Sequence, residues 1–157
     1  MAKPYPYFVS LDEAINLCQK TEIKLESESI PISESLNRVV SNEIYSKIND
    51  PGFDNSAMDG FAVMHSDTLS PPTQLSIIGS SMAGTTTIQK IVSGQAVRIM
   101  TGAPIPAGAD SIIPIEDCTV LGNEVTLNKP SRPHFIRKQG ENLRRGHIAL
   151  HQGDILN

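Results

Sequence analysis

Asp59 is the first residue whose setting suits chemistry. It lies in Asn55-Ser56-Ala57-Met58-Asp59-Gly60-Phe61-Ala62-Val63, one acid among small residues, directly before a glycine. The preceding Asp50-Pro51-Gly52-Phe53-Asp54 is rich in turn formers. Asp59 is therefore expected on a tight turn leading into a strand, with Gly60 allowing positive φ and the close approach of another group. A carboxylate on a rigid bend can act as a hard oxygen ligand for a cation or as an acid/base. It can equally cap its own turn.

Thr101 is the second candidate. Thr101-Gly102-Ala103-Pro104 follows an expected strand, Ala96 to Met100. A threonine hydroxyl at a strand end can donate to an anion or bind a cation, and the amides of Thr101, Gly102 and Ala103 can form a small anion nest. An ordinary β-turn is the alternative. Pro104 and Pro106 are expected to stiffen this loop. Arg137 stands close to Gly140-Glu141-Asn142. Its guanidinium fork suits a phosphate or carboxylate, or it pairs with Glu141. Asp110 and Glu116 flank an apolar run, Ser111 to Ile115. Asp110 is expected to cap a turn, and Glu116 and Asp117 to form a solvated strand end, with direct site chemistry as the alternative for each. His65, His134, His147 and His151 have no metal-ligand spacing, and Cys18 and Cys118 form no Cys-x-x-Cys.

The bulk properties narrow the classes. With 157 residues, 39% hydrophobic and 19% charged, the chain can bury a real core. The net charge of −4 and the absence of a basic block argue against nucleic acid as the main partner. Aromatics are only 4% and Trp is absent, so base-stacking platforms are not expected. No apolar run approaches the ~20 residues that span a bilayer, so no membrane association is expected. The start, Met1-Ala2-Lys3-Pro4-Tyr5, has no apolar signal core, and the cytoplasm is the expected compartment.

The elements that must position these residues are also legible. Ser10-Leu11-Asp12-Glu13 is a capping box. It opens a helix with a buried stripe of Leu11, Ala14, Ile15, Leu17 and Cys18 that fades near Lys20 or Thr21. Cys18 is expected as a buried free thiol. Ser33 is expected to cap a second helix with Leu36, Val39 and Val40 on one face, ending near Asn42. Ile44 to Ile48 alternates like a strand. After Pro51 short apolar runs alternate with turn formers. Phe61 to Val63, Gln74 to Ile78, Gln95 to Met100 and Ser111 to Ile115 read as strands. Gly122-Asn123 joins Cys118–Leu121 to Glu124–Leu127 as a hairpin. Phe135-Ile136 and His147 to Leu150 read as further strands. This texture suggests a small barrel or sandwich from roughly Lys47 to Lys129.

Three segments, in order, resemble the MoeA and gephyrin E-domain family, the molybdopterin molybdenumtransferases. The first is Pro51-x-Phe53-Asp54-x-Ser56-Ala57-Met58-Asp59-Gly60-Phe61-Ala62. The second is Arg98-Ile99-Met100-Thr101-Gly102-Ala103-Pro104-Ile105-Pro106-x-Gly108-Ala109-Asp110. The third is Ile136-Arg137-x-x-Gly140-Glu141-Asn142-x-x-x-Gly146. Three ordered motifs of this length are far more specific than one short pattern. The resemblance implies an α+β, β-rich fold: a small mixed domain with an inserted β-barrel-like domain. Residues 1–46 and 130–157 would form an outer lobe, and residues 47–129 an inserted β-rich lobe.

The resemblance also implies the last step of molybdenum cofactor synthesis. Adenylated molybdopterin binds, molybdate is inserted at the dithiolene, AMP leaves, and Mg2+ assists. On that implication Asp59 is a ligand or orienting group and the candidate metal ligand. Thr101 matches a family active-site threonine and would donate to the bound ligand. Arg137 would be an anion contact and Asn142 a neutral one. Asn142 departs from the family's Gly-Glu-Asp, keeping the shape but losing the charge, which weakens any hold on a cation. Family members continue with a larger α/β domain that holds the pterin and a C-terminal β domain. The expectation is therefore a chain carrying the first two domains, without a complete active site and inactive alone. A homodimer in the full-length protein and contacts with other molybdenum cofactor biosynthesis proteins are implied. The alternatives are a non-catalytic dimerisation or interaction module of the gephyrin type, and a ligand-binding β domain without catalysis.

Overall fold

Phe61-Ala62-Val63 is apolar at successive positions, so a strand made from it needs cover on both faces. In the structure, a computed structural model that describes residues 8–21, 25–84, 89–132 and 135–157, it has that cover. Strand β3 (Gly60–Val63) is buried throughout. It lies between β5 (Gln95–Ile99) and β6 (Ser111–Pro114), antiparallel to both. The full sheet has the order β6-β3-β5-β4-β8-β7, with β4 (Thr73–Ser81), β7 (Cys118–Leu121) and β8 (Glu124–Leu127). The β4–β5 pair is parallel and the remaining pairs are antiparallel. The sheet curls into a half-barrel.

Alternation along β3 divides the core. Phe61 and Val63 join Leu75, Ala96, Ile113, Val125 and Leu127 on one face. Ala62 joins Ile99, Ala103, Ile112 and Ile136 on the other. Burying each large apolar side chain contributes about 1.5–3 kcal/mol, which makes β3 the best-anchored strand near the first motif. Gly60 opens β3 for a steric reason. A Cβ there would stand 2.0 Å from the Ile113 carbonyl oxygen. The expected positive φ is not used: Gly60 is not among the positive-φ glycines, and close approach alone accounts for it.

A second set of pairings joins distant parts of the chain. Val39 bridges Ile155, and β1 (Ile44–Tyr45) pairs with β10 (Ile148–Leu150). Asp50 bridges Leu143, and β2 (Asn55–Ser56) pairs with β9 (Ile136–Arg137). The segment from 37 to 56 thus runs antiparallel along the segment from 136 to 156.

Two expectations fail in this region. The helix from Ser33 to Asn42 is absent. A single 3-10 turn spans Ile32–Glu34, and Asn37 takes φ 62. The amides of Asn37 and Val40 donate to Leu156 O and Asp154 O at 2.7 and 2.9 Å, so long-range pairing overrides local helix propensity. The expected strand Ile44 to Ile48 narrows to two residues for a related reason. Ser46 N–H turns to His147 O at 2.8 Å, and Ser46 Oγ donates to Ile48 O at 2.7 Å. Helix α1 (Leu11–Lys20) forms as expected, with Ser10 Oγ accepting from Glu13 N–H at 3.2 Å in a complete capping box. Its apolar stripe is not buried, however. Leu11, Ile15 and Leu17 are 76%, 46% and 42% exposed, and Cys18 is an exposed free thiol, because packing among the described residues buries no residue of this helix.

Candidate active site

Asp59 ends a turn that is built locally and then clamped from outside. Ser56 Oγ donates to Met58 O at 2.6 Å and accepts from Met58 N–H at 3.2 Å, a local turn of the kind serine favours. Ser56 N–H donates to Ala103 O at 3.0 Å, and Ser56 O accepts from Gly102 N–H at 2.8 Å. The first two motifs are thereby held together by backbone. On the other side, Asp59 O accepts from Ile115 N–H at 3.1 Å as β3 begins.

The Asp59 side chain meets Thr101. Its Oδ1 accepts both the Thr101 amide and the Thr101 hydroxyl, each at 2.7 Å. Its Oδ2 has no hydrogen-bond partner among the described residues, and Asp59 is exposed. The Thr101 amide, then its hydroxyl, hold the Asp59 carboxyl below its ordinary value of 3.8, and the Arg98 guanidinium adds to this. Asp59 is thus ionised at neutral pH, with one oxygen fixed and one open. A depressed carboxyl suits a hard ligand or a hydrogen-bond acceptor and disfavours a general acid.

The expected anion nest does not form. Thr101 N–H points to Asp59, Gly102 N–H to Ser56 O, and Ala103 N–H to Met100 O at 3.0 Å. A nest needs unspent amides, and pairing between the motifs has used these. Gly102 takes φ +79, the left-handed value that its turn requires.

The remaining candidates lie outside this hydrogen-bonded pair. Arg137 sits in β9 opposite Asn55, exposed, and its guanidinium makes no hydrogen bond or ion pair with the described residues. Glu141 does not pair with it: Glu141 Oε2 accepts from Lys138 N–H at 2.9 Å. Asn142 is engaged with Asp50. Its backbone N–H donates to Asp50 O at 2.9 Å, and its Nδ2 donates to Asp50 Oδ2 at 3.0 Å. Asp110 acts as a brace, its Oδ1 accepting from His65 N–H at 2.6 Å at the start of a 3-10 turn. Glu116 and Asp117 lie on the 3-10 turn Ile115–Asp117, where Asp117 pairs with Lys129. His65 Nδ1 lies 3.0 Å from Ser131 Oγ, His147 and His151 are exposed, and His134 lies outside the described residues. Among the described residues no group of three or more His, Cys, Asp or Glu side chains could hold a metal ion.

Three residues in the frame carry more than their sequence suggested. Ser56 had a findable signal, since serine two residues before an unpaired turn amide commonly forms this bond. Asp50 and Asp54 had none, because their partners are some 85 to 92 residues away.

Fold and site together define a strand-rich module that holds an ionised carboxylate against a threonine at the entrance to a curled sheet. Residues 9–157 match the family model for the MoeA N-terminal region (domain I and II). The chain belongs to the MoeA family. The molybdopterin molybdenumtransferase of Haemophilus influenzae is 39% identical over 150 residues, covering 92% of this chain and 36% of that protein. The molybdopterin molybdenumtransferase of Synechococcus elongatus is 37% identical over 146 residues, covering 89% of this chain and 36% of that protein. The crystal structure of the molybdopterin biosynthesis MoeA protein of Pyrococcus horikoshii OT3 superimposes with a TM-score of 0.78 at 30% identity, covering 83% of this chain and 36% of that one. The chain thus spans about a third of the length of these relatives. Among the described residues no helix is long and apolar enough to cross a membrane.

Proposed function

We propose that this chain supplies part of the active site of a molybdopterin molybdenumtransferase, which inserts molybdate into adenylated molybdopterin and releases AMP in molybdenum cofactor biosynthesis. The observation that carries this reading is the Asp59–Thr101 pair, standing within a region matched over residues 9–157 to a family whose members bear that name. Asp59 offers the open oxygen Oδ2 to the substrate or to a cation, and Thr101 orients it by fixing Oδ1. The Thr101 hydroxyl proton points at Asp59, so Thr101 acts on a ligand mainly through Asp59. Arg137, whose guanidinium donors are unspent among the described residues, is an anion contact, and Asn142 a neutral contact that also braces Asp50.

Mg2+ fits this donor set as a partner of one carboxylate, because it retains several waters and takes further oxygens from substrate phosphates. Asp59 Oδ2 is the residue atom that would hold it, and the ion would neutralise charge on phosphate oxygens. We expect no turnover from these 157 residues alone, since the chain spans about a third of the length of the molybdopterin molybdenumtransferases that it matches. A division into an outer lobe (1–46 and 130–157) and an inserted lobe (47–129), a homodimeric assembly that works beside other molybdenum cofactor biosynthesis proteins, and a cytoplasmic location belong to the same reading.

The test is a chimera in which this chain replaces the matching region of the Haemophilus influenzae relative. Molybdate-dependent AMP release is measured for the chimera and for its Asp59→Asn variant. The amide keeps the size and one acceptor oxygen, so unfolding stability should change by about 1 kcal/mol or less. Turnover should fall by more than about tenfold, since roughly 2–4 kcal/mol of barrier is at stake when a charge used in the transition state is lost. Equal turnover in the two proteins would reduce Asp59 to a turn brace. The exposed apolar stripe of α1 favours a second reading, an interaction module of the gephyrin type. On that reading a well-folded chimera assembles with partner chains and releases no AMP.

A further inference from the structure

The three motifs converge on one residue that the catalytic reading does not use. Asp54 Oδ2 accepts from Lys138 Nζ and Asp54 Oδ1 from Gln139 N–H, both at 2.8 Å. Those contacts tie the first motif to the third. The Asp54 backbone carbonyl accepts from Ile105 N–H at 3.1 Å, which ties it to the second. From Asp54 onward the segment 54–59 zips along the loop 101–105. Asn55 bridges Pro104, Ser56 and Ala103–Gly102 exchange backbone bonds, and Asp59 closes the zip on Thr101. On its other edge, Asn55 and Ser56 pair with Arg137 and Ile136.

We propose that Asp54 is a positioning residue for the Asp59–Thr101 pair, fixing the entrance of the segment 54–59 against both the loop 101–105 and the turn at 138–139. The Asp59 carboxylate is exposed and has Thr101 as its one side-chain partner among the described residues, so its placement depends on how firmly the segment carrying it is held. Asp54 is the far anchor of that segment, and the local turn at Ser56 is the near one. The bonds from the Lys138 ammonium and then from the Gln139 amide keep the Asp54 carboxyl below its ordinary 3.8, so it is ionised and both bonds are charge-assisted at neutral pH. The two bonds differ in weight. The Lys138 side chain is 69% exposed, and an exposed ion pair adds little. The bond from the Gln139 backbone restrains the chain directly and should dominate.

This inference rests on Asp59 and Thr101 being the working pair, but its test uses no turnover, so the two claims can fail separately. Amide hydrogen exchange is measured by NMR on the whole chain for wild type, Asp54→Ala, Asp54→Asn and Lys138→Met. In Asp54→Ala the amides of Thr101 and Ile105 should exchange about tenfold faster relative to those of the β7–β8 hairpin. Asp54→Asn keeps an acceptor for Gln139 and should restore most of the protection. Lys138→Met should change it by less than about threefold. If Asp54→Ala does not fold, Asp54→Asn carries the same comparison, with a smaller acceleration expected at Thr101 and Ile105. Acceleration that is uniform over the sheet, or confined to Gln139, would overturn the positioning role.

Discussion

The six-stranded sheet and helix α1 use the same apolar chemistry to opposite ends. In the sheet, Phe61, Ile113, Val125 and Leu127 are fully buried and close a core from within the chain. In α1, a well-formed helix with a complete capping box leaves Leu11 and Ile15 exposed. Local signals therefore make α1 a helix, whereas only long-range packing makes the sheet a core. The candidate site sits with the sheet. Asp59 emerges where β3 enters the core, so its backbone inherits the rigidity of buried neighbours while its carboxylate stays in water.

The two cysteines report this contrast directly, and here the largest effect is expected. Cys118, half-buried at the start of β7, has its thiol pushed up to about 12 by burial and then by Asp117 and Glu116. Cys18 is exposed on α1. Thiolate is the reactive form, so a disulfide reagent at pH 7.5 should label Cys18 more than about a hundredfold faster than Cys118. Comparable rates, followed by mass spectrometry on the native protein, would mean that the β7 end of the sheet opens as readily as the helix.

Next in size is Gly60→Ala. The added methyl would meet the Ile113 carbonyl oxygen at 2.0 Å, a backbone atom that cannot swing away. We expect a loss of about 3 kcal/mol or more in denaturant unfolding, with β3 and β6 forced apart beside Asp59. A loss under 1 kcal/mol would show the sheet to be as yielding at this point as the helix face.

What the sequence revealed follows the same division. The capping box at Ser10, the strands around Phe61 and Val97, and the Gly122-Asn123 hairpin all rest on short-range rules, and the structure has them. The helix expected from Ser33 fails because its amides pair with residues near the C-terminus, beyond any local rule. The site was legible as a set of residues but not as a bonded unit. Spacing singled out Asp59 and Thr101, yet nothing local says that both Thr101 donors converge on one carboxylate oxygen. Nor does it say that the amides suited to a nest are used in joining the motifs.

Asn142→Asp probes the antiparallel pairing of residues 37–56 with 136–156, and its effect should be moderate. Asn142 Nδ2 donates to Asp50 Oδ2 at 3.0 Å, a neutral closure of a carboxylate. An aspartate there would set two carboxylates at that distance. In water two like charges so close cost about 1 kcal/mol. The variant should lose that much stability at pH 7 without divalent ions and regain it in millimolar magnesium, read from urea unfolding with and without the ion. Unchanged stability in both conditions would mean that the side chain at 142 turns to solvent and leaves Asp50 alone.

The smallest expected effect belongs to α1. Ile15→Ser removes an apolar side chain that is 46% exposed, and serine is close to isoleucine in helix propensity. In the sheet the equivalent change, Ile113→Ser, would strip a fully buried side chain and leave a hydroxyl in an apolar core, at a cost of several kcal/mol. At Ile15 we expect a change within about 0.5 kcal/mol in urea unfolding of this chain. A loss above about 1.5 kcal/mol would mean that α1 is packed in solution, and the contrast between a core closed by the chain and a face left open would collapse.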